Sequence, residues 1–284
     1  MDLILEEFLK DLSVIKIQLG LLDQVKKFSS VAYSPETQEQ EVTGEILGNK
    51  GENETYFDQA KKVHEHARDA HSGLPVIIGT TILYIAGRFE EYTRTAFEDL
   101  CQKIAGNAGK FNSLPKKMQD NLVAYTATVI QSPRKYNHGD GAVKTFSKNL
   151  ASNLNNDSID INYQCLSITD ANMRPDMLAD LYDRIGVKEI WKKIGQQAQI
   201  QAHFGSQDAG AAETLAKKKL NNLMDLRNSI AHPSTALTWP DSSLVLEYVE
   251  VVSVLARALS ILAPVFAIVP TNAALSAGTS ENRS

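Results

Sequence analysis

Arg227-Asn228-Ser229-Ile230-Ala231-His232 places a permanent cation, a carboxamide and an imidazole within six residues. The run closes a stretch, Thr214 to His232, whose pattern predicts an amphipathic helix. At about 100° per residue, Leu220, Leu223, Met224, Ile230 and Ala231 form one apolar stripe. Arg227, seven residues after Leu220, falls near the middle of that stripe. A guanidinium stays charged in a protein, so it must meet a carboxylate, a phosphate or a wet groove between subunits. Asn228 and His232 are one helical turn apart, beside the arginine. Pro233 disfavours the α conformation at His232, leaving the imidazole at a frayed helix end. A cation for a phosphate and a proton carrier for an oxygen suit phosphodiester cleavage. The competing reading is an arginine salt-bridged to a neighbouring helix, with the histidine interacting with the helix dipole.

The elements that must carry this run are helical almost throughout. Residues 2–28 read as a long amphipathic helix on Leu5, Phe8, Leu12, Ile15, Leu19 and Leu22, and Ser29–Glu54 as a polar loop. Helices are expected over Tyr56–His71, Pro75–Ile104 and Leu114–Gln131, the last stopped by Ser132-Pro133. Residues 133–172 are the least regular, with Pro133, Gly139, Gly141 and Asn149–Asn156 marking loops. Within them Ile159, Ile161, Tyr163 and Cys165 alternate with polar residues, the pattern of a short strand. Helical periodicity returns at Met173–Ile185 and Val187–Ala202. A Gly/Ala/Ser-rich loop at 205–212 precedes the motif helix, and a closing helix spans Ser242–Ala263 with Pro264 as its stop. The expected architecture is all-α, one helical bundle over residues 1–270 followed by a disordered tail, 271–284.

With these elements in place, Arg227-Asn228-x3-His232 resembles the Arg-x4-6-His signature of the HEPN superfamily. Ile82-Leu83-Tyr84-Ile85-Ala86-Gly87-Arg88-Phe89-Glu90-Glu91-Tyr92 is similar to the early long helix of its RiboL-PSP-type branch, and Ser242–Ala263 to the branch's closing helix. The resemblance covers roughly residues 74–131 and 173–265. It implies a HEPN-like bundle with an additional N-terminal helix. It further implies a metal-independent endoribonuclease, a toxin or antiviral (phage) defence effector, whose homodimer joins two motifs in one cleft. In that scheme the 2′-hydroxyl of RNA attacks its own phosphate, leaving a 2′,3′-cyclic phosphate and a 5′-hydroxyl. His232 would act as general base or acid, since imidazole ordinarily titrates near pH ~6.5. Arg227 would stabilise charge growing on the phosphate, and Asn228 would orient phosphate or imidazole. Glu90, which follows Phe89 as in the branch, is the candidate to anchor Arg227 or position His232; an intrahelical pair with a nearby arginine is the alternative.

Other features bear on RNA binding. Lys217-Lys218-Lys219 lies two to three turns before Arg227, either a local positive field or a solvated face. Arg134-Lys135-Tyr136-Asn137-His138 mixes cations with an aromatic on a loop, as single-strand grips do and as ordinary loops also do. The net charge of −5 argues against a constitutive nucleic-acid coat protein. His64, His66 and His71 lack zinc-helix spacing, and no metal or cofactor is expected. Phosphate-loop and nucleophile-elbow motifs are missing, and two distant cysteines imply no disulfide framework. The acidic N-terminus does not read as a signal peptide, Leu74–Gly87 reads as too short to span a membrane, and the run from 244 to 269 is broken by Glu247, Glu250 and Arg257. A cytoplasmic protein is expected, its partners RNA, a second copy and an antitoxin or defence component. The rival function is a non-catalytic scaffold of the same fold whose motif builds the dimer interface; a nucleotide-binding protein without turnover is a third.

Overall fold

The computed structural model describes residues 2–30, 50–157 and 159–268, with side chains from residue 59 onward in the second helix. The expected tail, 271–284, and most of the expected loop after residue 30 lie outside the described residues. Eleven α-helices are formed among the described residues: α1 Leu3–Ser30, α2 Lys50–Ala70, α3 Leu74–Ala108, α4 Lys116–Gln131, α5 Asp140–Leu154, α6 Tyr163–Leu166, α7 Pro175–Asp183, α8 Ile190–Gly195, α9 Ala198–His203, α10 Ala209–Ala231 and α11 Ser242–Phe266. No strand occurs among them.

The core is built on α3 and α11, the two most apolar long helices, with α1 and α10 packed on both. From α3 come Ile82, Ile85, Phe89, Phe97, Leu100 and Ile104, and from α11 Val245, Val249, Val252, Leu255 and Leu259. Fully burying a side chain of this size contributes about 1.5–3 kcal/mol relative to leaving it exposed. The N-terminal helix is part of the same core through Phe8, Leu12, Ile15 and Leu19. Phe8 stacks on Tyr92, whose hydroxyl donates to the carbonyl of Ala256 at 2.8 Å, so one aromatic pair joins α1, α3 and α11. Arg88 of α3 bridges Asp11 of α1 and Glu91 of its own helix.

The stretch Leu74–Gly87 belongs to a 35-residue helix rather than ending short. By length and composition, Gln59–Ala108 and α11 would each suffice to cross a membrane; half of the α11 window and a third of the other are buried inside the bundle. The two acids within α11 are paired, Glu247 with Lys219 and Glu250 with Lys16.

Four sequence expectations change. Residues 140–154 are a helix, because Val143, Phe146, Leu150 and Asn153 recur at helical spacing and pack Phe146 into a pocket with Val129 and Cys165. The alternating segment at 159–165 pairs with no strand and instead turns into α6. Asn162, on the side expected to face solvent, is buried, donating to the Phe146 carbonyl (2.9 Å) and to Thr126 (3.3 Å). The helix expected over 187–202 is divided into α8 and α9. There Gly195 lets the backbone of α10 approach, since a Cβ at that position would stand 2.4 Å from the Ala209 carbonyl oxygen. Pro264 does not end α11, which runs two residues further to Phe266.

Candidate active site

Two helices and one loop position the motif. α10 starts four residues into the loop expected at 205–212, because Asp208 caps it, accepting from the Ala211 amide at 2.6 Å. Its apolar face, Ala212, Ala216, Leu220, Leu223, Met224 and Ile230, is buried against α3, α8 and α11. At the other end the His232 amide still donates to the Asn228 carbonyl, but φ −128° and ψ 68° take His232 out of the helix, as the following proline requires. The imidazole is exposed.

The chain after His232 is pinned. Trp239 packs against α3 at Gly79, where a Cβ would stand 2.4 Å from the indole, so only glycine admits the ring. Asp241 then caps α11, accepting from the Leu244 amide at 2.9 Å. That amide hydrogen bond, with help from the Ser243 hydroxyl, holds the Asp241 carboxyl below its ordinary range.

Arg227 is half-buried on the apolar face of α10, in line with Leu220 and Leu223. Its Nη1 donates to Asn228 Oδ1 at 3.2 Å, and no carboxylate pairs with it among the described residues. Asn228 Oδ1 also accepts from Asn172 Nδ2 at 2.7 Å. Two donors on one oxygen orient the amide, and its NH2 group has no hydrogen-bond acceptor among the described residues. One turn earlier, Asp225 accepts from Arg174 Nη2 at 2.7 Å, and Asn221 from Arg174 Nη1 at 3.4 Å. Asn221, Asp225 and Asn228 thus form a polar edge on α10 clasped by Asn172 and Arg174 from the segment before α7.

That segment is rigidly held. Pro175 opens α7 and keeps Arg174 extended, at ψ 164°, while Trp191 Nε1 donates to the Pro175 carbonyl at 2.8 Å. Arg184, 6 % exposed, donates to the Leu166 and Ile168 carbonyls, both at 2.7 Å, and lies 4.3 Å from the centre of the Tyr125 ring. Asn172 and Arg174 were missed in the sequence. Their only local signal is an arginine before a proline at a helix start, and what they touch is fifty residues away.

The remaining candidates divide. Lys135 pairs with Asp170 at 3.1 Å and contacts the Tyr136 hydroxyl at 3.1 Å. The hydrogen bond to Tyr136 and the one to Asp170 raise its ammonium above the ordinary lysine value. Asp170 is two residues from Asn172, no more than about 7 Å along the chain, so the basic loop and the motif are joined through one segment. Arg134 is exposed, with no acid partner among the described residues. Lys217 is taken by Glu213 at 2.5 Å and Lys219 by Glu247, which leaves Lys218 as the one exposed, unpaired lysine of the triplet among the described residues. Nine residues separate Lys218 from Arg227, half a turn around the helix. The triplet therefore adds little positive field beside Arg227. Glu90 does not reach Arg227 or His232; its carboxylate faces Arg94 of its own helix at 3.9 Å. The histidines at 64 and 71 contact α1 instead, His64 edge-on to Phe28 and His71 hydrogen-bonded to Ser29.

A half-buried guanidinium without a carboxylate among the described residues, an amide with donors to spare and an exposed imidazole make a helix end with the groups to bind an anion and move a proton. The family model described as RiboL-PSP-HEPN matches residues 50–263, including α2 and the stretch 132–172 that the sequence resemblance left out. No curated protein and no solved structure matches the chain. Since that family model spans more than half of the sequence, with α1 outside the match, the chain belongs to the RiboL-PSP-HEPN family.

Proposed function

We propose that this protein is a metal-independent endoribonuclease that cleaves RNA at the end of α10. The observation that carries the reading is the state of Arg227: half-buried, held against Asn228 and matched by no carboxylate among the described residues. A structural arginine in such a place ordinarily finds an acid, and the nearest one along the helix, Asp225, is already engaged by Arg174. A phosphate diester is the complementary ligand.

In this reading Arg227 and the free NH2 of Asn228 hold the two non-bridging phosphate oxygens. Both contacts strengthen as negative charge grows on the phosphorane, which is the condition for accelerating the step. His232 takes the proton of the 2′-hydroxyl as that oxygen attacks phosphorus and the bond to the 5′-oxygen breaks. The leaving oxygen also needs a proton, and one imidazole does not serve both ends of a single step. A homodimer supplies the second imidazole from the partner's motif. Arg134 and Lys135, joined to the motif through Asp170, contact the strand as it leaves. A toxin or defence role follows from unrestrained cleavage of cellular RNA, with an antitoxin or defence component as its restraint.

The experiment is incubation of the purified protein with total RNA in excess EDTA, followed by end-group analysis. Fragments with 2′,3′-cyclic ends, absent with His232→Ala, support the reading. Intact RNA with both proteins, together with loss of assembly in Arg227→Ala, transfers the motif to a scaffold role.

A further inference from the structure

A pocket of about 450 Å³ lies between α3, α5 and the chain that enters α6. Amides, a phenol and a carboxylate line it, from Gln102, Asn149, Gln164, Tyr163 and Asp160, with no lysine or arginine among them. Amides beside an aromatic are the groups that read a base edge, whereas cations hold phosphates. A buried network fixes what Asn149 offers. Its Nδ2 donates to Asn162 Oδ1 at 3.1 Å, and Asn162 is anchored in turn on the Phe146 carbonyl and Thr126. Asn149 Oδ1 is thereby left as an acceptor with no donor among the described residues. Asp160 is pinned through its backbone carbonyl, which accepts from Asn153 Nδ2 at 3.1 Å, while no cation among the described residues pairs with its carboxylate.

Cations stand beside the pocket instead of in it. Lys144 and Lys148 are exposed one helical turn apart on α5, next in sequence to the pocket residues Thr145 and Asn149, and have no acid partner among the described residues. The basic loop 133–138 joins the pocket to the motif. His138 stands edge-on to Phe146, which lines the pocket, with ring centres 5.0 Å apart, and Lys135 pairs with Asp170, two residues before Asn172. Gln164 and Asn172 are eight residues apart, at most about 29 Å along the chain, a distance that a few nucleotides of one strand cover.

We propose that this pocket takes an unpaired guanine of the RNA strand and so sets where the strand is cut. Guanine carries N1–H and its 2-amino group side by side, two donors for the acceptors of Asn149 and Asp160. Adenine and cytosine put an acceptor next to their amino group, and uracil sets its one N–H between two carbonyls, so the acceptors select guanine. The guanine O6 accepts from a glutamine amide, the base stacks on Tyr163, and Lys144 and Lys148 meet the flanking phosphates. Gly106 lines the same pocket with nothing within 4 Å of where its Cβ would be, so the base can approach the α3 backbone there. The choice of RNA as the ligand rests on the ribonuclease reading; the pocket and its acceptors do not.

The test measures binding of labelled oligouridines carrying one central guanosine, inosine or adenosine to the full-length His232→Ala protein, beside cleavage of the same oligomers by wild type. The guanosine oligomer is expected to bind roughly tenfold tighter than the adenosine one, with inosine, which lacks the 2-amino group, in between. Asp160→Asn is expected to remove the preference while leaving affinity for plain oligouridine equal or higher, because a charge that repels phosphates is lost. Gly106→Leu, whose added side chain begins in open space, is expected to fill the pocket and remove the preference at an unchanged or raised melting temperature. Lys144→Gln/Lys148→Gln is expected to weaken every oligomer and to flatten the salt dependence. Binding without a guanosine preference, or a preference that survives both Asp160→Asn and Gly106→Leu, overturns the proposal. Wild-type cleavage indifferent to the base overturns it and leaves the ribonuclease standing. Guanosine-selective binding with no cleavage by wild type upholds the pocket and overturns the ribonuclease.

Discussion

Asn172 donates to the side-chain oxygen of Asn228 at 2.7 Å across 56 residues of sequence. This contact decides what Asn228 offers a substrate. With its oxygen occupied by Asn172 and Arg227, the amide can present only its NH2, the group that suits a phosphate.

Removing the contact tests that assignment. Asn172→Ala is expected to slow RNA cleavage about three- to tenfold, the worth of one hydrogen bond of about 0.5–1.5 kcal/mol, through kcat more than KM. Asn172→Asp should be worse. It replaces a donor by an anion that captures Arg227. Cleavage rates beside melting curves check both; equal activity in all three proteins refutes a positioning role.

Arg174 engages the Asp225 carboxylate, which on the proposed function would otherwise face the phosphate. Arg174→Gln is expected to raise KM roughly three- to tenfold and to steepen inhibition by salt, with stability changed by no more than about 1 kcal/mol because the pair is partly exposed. The double variant with Asp225→Asn should recover most of the loss. Failure to recover would mean that Arg174 touches RNA directly.

The loop after His232 depends on a tryptophan lying on a glycine. Gly79→Ala places a methyl 2.4 Å from the Trp239 ring, so the indole or α3 must move, at about 1–3 kcal/mol. Thermal denaturation should show a fall of several degrees, and tryptophan fluorescence should shift. An unchanged melting temperature contradicts the packing.

Asp241 ties stability to pH in a fixed direction. Its folded carboxyl is held below the ordinary value of 3.8, so its contribution is complete above that value and disappears as pH falls through the folded one. Asp241→Ala should cost about 0.5–2 kcal/mol near neutrality, as loss of an N-cap does. In strong acid the two proteins should converge. Denaturant midpoints at neutral and acid pH provide the check.

Much of this was legible in the sequence because long helices announce themselves by period. The buried faces of α1 and α10 are largely the ones their spacing predicts, and Arg227, Asn228 and His232 occupy one helix end as read. What was hidden depended on contacts between distant segments. α5 was obscured by glycines and asparagines that disfavour helices in isolation, until Phe146 is given a pocket. Asn162 looked like the outward side of a strand and instead satisfies buried polar groups. Asn172 and Arg174 carry no pattern of their own. They matter only because α7 docks beside α10. The pairing of Lys217 and Lys219 with Glu213 and Glu247 likewise follows from packing, and it leaves Arg227 rather than the triplet as the cation beside Asn228.

The most direct measurement compares wild type with His232→Ala and Arg227→Ala on total RNA in excess EDTA, with analysis of the ends formed. The account predicts discrete fragments bearing 2′,3′-cyclic phosphate from wild type alone, while both variants keep its melting temperature and mass. Fragments from all three proteins, or from wild type only when a divalent metal is restored, would contradict it.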